Sequence, residues 1–344
     1  MPDTKSATQP RRHHYVPRFI LKGFAVERKR GRFQTQVFDK HSGRTFAASI
    51  NDVMVEGDFN ALETPGGLLS IEAYISEIES KAAPLIERVV ETGSLAQLSE
   101  ADRLTLATFA ALQFIRGTGP RAMAVAAAEA VNARIGATTS DAASDIRPDD
   151  GKRFGILSIA TELAEYAGHF ATKDLVLFRA PIEKQFILGD NPVTLENLEP
   201  SDFFGNLGLT CVGIQIGLPI SNRFQLNFWC PTILAKARAD RDEVMSRIRA
   251  INAMAMLSPN GLSDAGRALL EVLQKAMEAV TPLLEAYDSG MPIDLKEANV
   301  VRANSLQISY AERYIASAAG DFSLAVEMIS TAPEYRRGRR MSVS

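Results

Sequence analysis

His13 and His14 open the run His13-His14-Tyr15-Val16-Pro17-Arg18-Phe19, with Arg11, Arg12 and Arg18 around them. Imidazole titrates near neutral pH, so adjacent histidines can act as acid, base or metal ligand. Pro17 pushes Val16 into an extended conformation, and the two rings then project to opposite sides of the chain. One structural hydrogen bond and one solvated ring would explain the pair equally well. Asp190-Asn191-Pro192 follows an apolar run, which puts a carboxylate at a strand end, a common seat for catalytic or metal-binding acids. Asx-Pro is just as good turn chemistry. His13, His14, Asp190 and Asn191 are the catalytic candidates. Arg116 and Arg121 flank the helix break at Gly117-Thr118-Gly119-Pro120. Two guanidinium groups beside the free N–H groups of a helix N-terminus suit phosphate or carboxylate. With Arg18 they are the anion-binding candidates, and salt bridges to acidic residues such as Glu79 are the structural alternative. The imidazoles and Asp190 could also ligate a divalent metal, whose identity stays open. Glu162, Glu165 and His169 share one helix face, but bundle metal sites draw ligands from several helices and no second helix offers a matching set.

The 344 residues are 46% hydrophobic and 23% charged. That is ordinary globular composition, which excludes fibrous, collagen-like and disordered classes. The net charge of -3 speaks against a generic nucleic-acid coat protein. By position, however, the first forty residues carry +7, the last fourteen +3 and the middle −13. Tyr15, Phe19, Phe24 and Phe33 interleave with the early cations, a pattern that attracts nucleic acid by counterion release and stacking. Docking of this arm on the acidic body is the competing reading. Cys211 and Cys230 lack metal or disulfide-scaffold spacing and read as buried free thiols. The N-terminus has no apolar core like that of a signal peptide. The uncharged run 203–222 is long enough to span a bilayer, but Gly205, Gly208, Gly213, Gly217 and Pro219 suit an interrupted strand instead. A cytoplasmic protein without a membrane segment is expected.

These candidates need elements to hold them. Gln36–Asp39 and Thr45–Ile50 read as two strands around a turn at Gly43. Ile71, Tyr74, Ile75, Ile78, Ala82, Leu85 and Val89 mark one face of a helix. Ser99 with Asp102 caps a second helix, apolar on most sides over 104–115. Pro120 suits the first position of the next helix; a polar loop to about Asp150 and a helix over 154–170 follow. Short apolar runs at 175–178, 186–188, 193–195, 209–216 and 224–229 have strand grammar and are expected to pair antiparallel. Helices return at 239–257, 263–287, 294–318 and 321–330. On a helix over 294–318, Asn304 and Arg313 would point to opposite sides unless the helix breaks between them. Trp229 and Phe228 read as core. The expected fold is α+β, mostly helical with one small, mainly antiparallel sheet. It forms a single domain with mobile ends at 1–12 and 332–344. Its sub-regions are 13–65 (motif and hairpin), 66–172 (helical), 173–235 (strands) and 236–330 (helical).

The run from His13 to Phe24 resembles the opening HHYVPxFxL motif of the bacterial family known as domain of unknown function 4238. Further stretches resemble later elements of that family: Ile78-Glu79-Ser80, Gln113-Phe114-Ile115-Arg116 with Arg121, and Gly189-Asp190-Asn191-Pro192-Val193. Pro219-Ile220-Ser221, and Asn304 with Ala311, Arg313 and Tyr314, continue the likeness, which spans most of residues 13–318. The stretch Arg116–Arg121 carries more glycine than the family's shorter form, and Asn60 stands where an aromatic is usual. The resemblance implies an architecture and a residue list, and no reaction.

The resulting expectation is a hydrolase acting on a phosphate-bearing substrate, nucleic acid included. His13 or His14 would be acid/base or ligand, Asp190 base or ligand, and Arg116 and Arg121 charge stabilisers. The alternative is a non-catalytic protein whose basic N-terminal arm engages a polyanion or an acidic protein partner.

Overall fold

A computed structural model describes residues 12–136, 150–198 and 207–339. The N-terminal part runs β1 (Arg12–His14), α1 (Arg18–Lys22), β2 (Val26–Lys29), β3 (Arg32–Asp39), β4 (Arg44–Ser49), β5 (Val55–Gly57), β6 (Ala61–Thr64) and β7 (Gly67–Ser70). Four helices follow: α2 (Glu72–Thr92), α3 (Glu100–Arg116), α4 (Thr118–Gly136) and α5 (Asp150–Ala171). Then come β8 (Asp174–Arg179), β9 (Leu188–Gly189), β10 (Thr194–Asn197), β11 (Ile214–Pro219) and β12 (Phe224–Trp229). The chain continues with α6 (Pro231–Leu257), α7 (Asp264–Ser289), β13 (Ile293–Asp294), α8 (Glu297–Tyr310), β14 (Tyr314–Ser317) and α9 (Ser323–Thr331).

The helical, mixed α/β character is as expected, but the single small sheet is not. Among the described residues there are two five-stranded sheets, ordered β10-β11-β12-β8-β13 and β2-β3-β14-β9 with β4 also on β3, besides the two-stranded pairs β1-β5 and β6-β7. The physical reason is long-range pairing. β9 leaves its sequence neighbours to pair with β14, and β13 joins β8 in parallel from far along the chain. In the first of these sheets, alternation assigns two faces. Leu175, Leu177, Leu226 and Phe228 look toward the main core with α3 and α5, where Phe170 meets Phe228 edge-on at 5.2 Å. Val176 and Trp229 look the other way, onto Leu234 of α6 and Leu284 of α7.

Local signals held where chemistry is local. Gly43 has φ 72° in the β3–β4 turn. Ser99 Oγ accepts the Asp102 N–H, and Asp102 returns the bond to Ser99 N–H. Three expectations need correcting. The helix expected over 294–318 stops at Tyr310, and Tyr314–Ser317 is the strand between β3 and β9. Of the end expected to be mobile, residues 333–336 form a 3-10 turn. There Arg336 Nη1 donates to the Lys40 carbonyl, and Gly338 N–H donates to Glu312. Pro120 sits in the first turn of α4 but not at its first position. Residues 1–11, most of the polar loop before Asp150, the start of the 203–222 run and the last five residues lie outside the described residues. Among the described residues, no helix is long and apolar enough to cross a membrane.

Candidate functional site

β1 pairs antiparallel with β5, setting His13 opposite Glu56 and His14 opposite Val55. His13 is 2% exposed, and its Nδ1 accepts the Asn60 N–H at 3.0 Å, with Glu72 Oε2 at 3.9 Å. An accepting Nδ1 leaves the ring proton of neutral His13 on Nε2. His14 projects to the other side and donates from Nε2 to the Ile50 carbonyl at 3.2 Å. Burial holds its pKa below the ordinary histidine value; Arg18, Arg12 and Arg116 push the same way, and the Ile50 bond opposes them. Met54 and Asp58, at either end of β5, both have positive φ without being glycine.

Asn60 ties this strand to the helices. Its Oδ1 accepts from Arg121 Nη2 at 3.2 Å and its Nδ2 donates to Glu72 at 2.8 Å, so one amide links a buried guanidinium to a carboxylate. Arg121 also donates to the Phe59 carbonyl at 2.7 Å and stacks 3.5 Å from the Phe59 ring centroid. Burial pushes its pKa down to about 9, Glu56 working against the fall and Arg116 with it, so the group stays cationic at neutral pH. Arg116 is fully buried at the end of α3. Its Nε donates to the Tyr15 carbonyl at 2.9 Å, and Nη1 lies 2.6 Å from Glu79. That ion pair lies outside hydrogen-bond geometry.

The Asp190-Asn191 turn crosses between the two large sheets, from β9 to β10. Asp190 is 1% exposed. One of its oxygens accepts Glu312 N–H at 2.6 Å, and the other accepts Arg313 and Tyr314 N–H at 2.8 and 2.9 Å. Burial raises its pKa to about 6 against the pull of those three N–H groups. Asn191 Oδ1 accepts Gly119 N–H at 2.9 Å in the first turn of α4, and its Nδ2 donates to the Tyr310 carbonyl at 2.9 Å. A Cβ on Gly117 or Gly119 would lie 2.3 or 2.4 Å from that amide. The extra glycine of this stretch makes room for Asn191.

The structure thus gathers His13, Arg116, Arg121 and Asn191 around α3, α4 and the 58–60 loop, and sets Asp190 beside them. Arg18 is exposed, donates to Asn51 at 3.3 Å and stands apart. Asn304 accepts Ile187 N–H and donates to the Gln185 carbonyl; Arg313, freed by the helix break, pairs with Asp39 at 2.9 Å. Several residues that sequence reasoning passed over complete the network. Glu72 receives Asn60, Gln307 holds Gly189 and Pro192, and Lys40, fully buried, donates to the carbonyls of Ile308 and Ala311. Only Glu72 had a local signal, as the acid opening a helix.

Over residues 12–321 the chain matches the family described as Protein of unknown function (DUF4238). The chain belongs to that family. No curated protein and no solved structure matches it.

In this DUF4238 member the motif side chains bond mostly to the protein's own backbone. A surface hollow of about 700 Å³ lies elsewhere, lined by Arg103, Lys173, Asp174 and Tyr287. Among the described residues no group of three or more His, Cys, Asp or Glu could hold a metal ion. One group of atoms stands out. Gln113 Oε1 and Nε2, Arg116 Nη2, Thr118 Oγ1 and Arg121 Nε are buried without a hydrogen-bond partner, all within the α3–α4 junction. Buried polar atoms are normally satisfied, so such a cluster points to water or a ligand.

Proposed function

We propose that the protein binds a phosphate-bearing polyanion through the β2–β3 hairpin. The observation that carries this reading is charge without partners. Arg28, Lys29, Arg30 and Arg32 ring the hairpin tip, all exposed, and none forms an ion pair among the described residues. The nearby Glu27 turns its carboxylate onto Gly31 N–H at 2.7 Å. Among the other exposed arm cations that are described, Arg12 pairs with Asp52 and Lys22 with Glu87, and Arg18 donates to the Asn51 amide. The aromatic interleaving does not supply stacking platforms, because Tyr15 and Phe24 are buried, Phe19 packs on Phe109, and Lys22 covers Phe33. Binding therefore rests on phosphate contacts.

A second reading, hydrolysis of a phosphate-bearing ligand, draws support from the unsatisfied donors of Gln113, Arg116 and Arg121 beside His13 and Asp190. One experiment addresses both. A fluorescein-labelled 20-base-pair DNA duplex is titrated by anisotropy at 50 and 200 mM KCl. Four phosphate contacts predict an affinity loss of about 150-fold between the two salts. Replacing all four tip cations by alanine should abolish binding with the circular dichroism spectrum unchanged. Salt-indifferent binding, or binding that survives the replacement, overturns the reading. Gel analysis of the same duplex and of nucleotides tests hydrolysis: cleavage that disappears in His14→Ala and Asp190→Ala supports it, and intact substrate retires it.

A further inference from the structure

α6 and α7 form an antiparallel helical arm whose far half lies outside the hydrophobic clusters of the body. Its seam repeats at alternating steps of three and four residues, the heptad of a two-stranded coiled coil. Val244, Ile248 and Ile251 of α6 and Leu270, Leu273 and Met277 of α7 are the covered positions. Only the base joins the body: Leu234, Ala237, Val280 and Leu284 pack with Val176 and Trp229. Among the described residues, no hydrogen bond or ion pair ties 239–279 to anything outside the arm. Arg247 pairs with Glu243, Lys275 with Glu271 and Arg267 with Asp264, each within its own helix. Past that base α6 runs on from Ala239 to Leu257, about 28 Å at 1.5 Å per residue.

A second apolar row runs beside this seam, one residue before it on each helix and so about 100° around. On α7 it is Ala265, Leu269, Val272, Ala276 and Ala279; on α6 it is Ala250, Met254 and Leu257. In an antiparallel pair the two rows lie on the same side of the arm. All eight residues are exposed, Val272 at 63% and Leu257 at 86%. Together they present on the order of 700 Å² per copy, close to the roughly 800 Å² that each partner buries in a standard interface. At the base the same row is half-buried at Leu283 and Ala286, and Leu283 packs onto the cluster of Val176 and Trp229. The row therefore starts on the sheet and runs on into solvent.

We infer that a second copy of this chain covers it, the two arms lying antiparallel about a two-fold axis near Val272. The pattern is self-complementary, as an isologous contact requires. Leu269 of each copy meets the second copy's Ala276, a large residue on a small one twice over, and Val272 meets Val272 on the axis. The sheet sets the direction. Body and uncovered row lie on the same side of the arm, so parallel arms would put both bodies in one space. Antiparallel arms set each tip beside the other copy's sheet. Asp240, Glu243 and Arg247, which continue the row on α6 toward its base, form the polar rim.

Sedimentation velocity on the full chain, from about 1 to about 200 μM, tests this. The expected result is a dimer that dissociates on dilution. Leu269→Glu combined with Val272→Glu should raise the dissociation constant about 100-fold or more with the circular dichroism spectrum unchanged, because both side chains are exposed in the single chain. Met254→Lys, on the other helix, should raise it about tenfold and reads the same contact if the double variant does not fold. A chain that stays monomeric at every concentration overturns the inference, and so does a dimer indifferent to these substitutions. A short bismaleimide reads the direction, with the wild-type chain and its Cys211 and Cys230 as the blank. It should join Val272→Cys copies, which meet on the axis, and leave Asn260→Cys copies, at opposite ends, unjoined. The reverse pattern overturns the antiparallel pairing.

Discussion

Asp190 spends both carboxylate oxygens on three consecutive backbone N–H groups, at Glu312, Arg313 and Tyr314. These are the groups left open where α8 ends and β14 begins, so the side chain replaces a missing stretch of secondary structure. His13 does similar work for Asn60. His14 differs, because burial disfavours its charged form. With the folded pKa below the unfolded value near 6.5, the unfolded chain binds more protons in the acid range. Stability is therefore complete above about pH 6.5 and falls as the pH drops toward the folded pKa. His14→Gln should flatten that acid limb in urea midpoints measured from pH 7.5 to 5. Parallel limbs for the two proteins would show that His14 does not contribute.

At the scale of elements, the α3–α4 junction depends on fit. Gly117 and Gly119 leave room for Asn191, whose amide fills the first turn of α4 and anchors it to Tyr310. Gly119→Ala should cost about 1–3 kcal/mol, the usual range for overpacking, read from denaturant unfolding. Asn191→Ala removes the obstacle, so the double variant should be more stable than the sum of the single losses implies. Strict additivity would contradict this account. The β2–β3 hairpin obeys the opposite logic. Its first strand and its tip are exposed, so removing their charges should change ligand affinity and leave stability nearly unmoved.

For the molecule as a whole, the two large sheets are joined by the 189–194 crossing, and β14 sits between β3 and β9. The C-terminal segment closes one end of this assembly. Lys40, buried in the main body, donates to the Arg337 carbonyl at 3.3 Å, and Arg339 lies 4.8 Å from the Tyr310 ring centroid. Tyr335 packs against the cluster of Phe38, Phe322 and Ile329. A chain ending at Ala332 should lose about 1–3 kcal/mol of stability, the cost of a few hydrogen bonds and one half-buried ring. An unchanged urea midpoint would mean that the segment adds nothing to the fold.

Much was legible in the residues themselves. The Ser99 capping box, the Gly43 turn, the apolar face of α2 and the opposed rings of His13 and His14 follow from chemistry acting within a few positions. The family motif likewise singled out Arg116, Arg121, Asp190 and Asn191. Their surroundings were not legible. That Asp190 meets residues 312–314, that Asn60 joins Arg121 to Glu72, and that β9 abandons its neighbours for β14 all depend on contacts between distant segments. Such pairings are selected by the total burial and hydrogen bonding of the folded chain, which leave no local period. The same holds for the charge of the basic arm. Sequence counted its cations, but only the tertiary structure separated Arg12 and Lys22, paired with Asp52 and Glu87, from Arg28, Lys29, Arg30 and Arg32, exposed at the hairpin tip without an ion pair among the described residues.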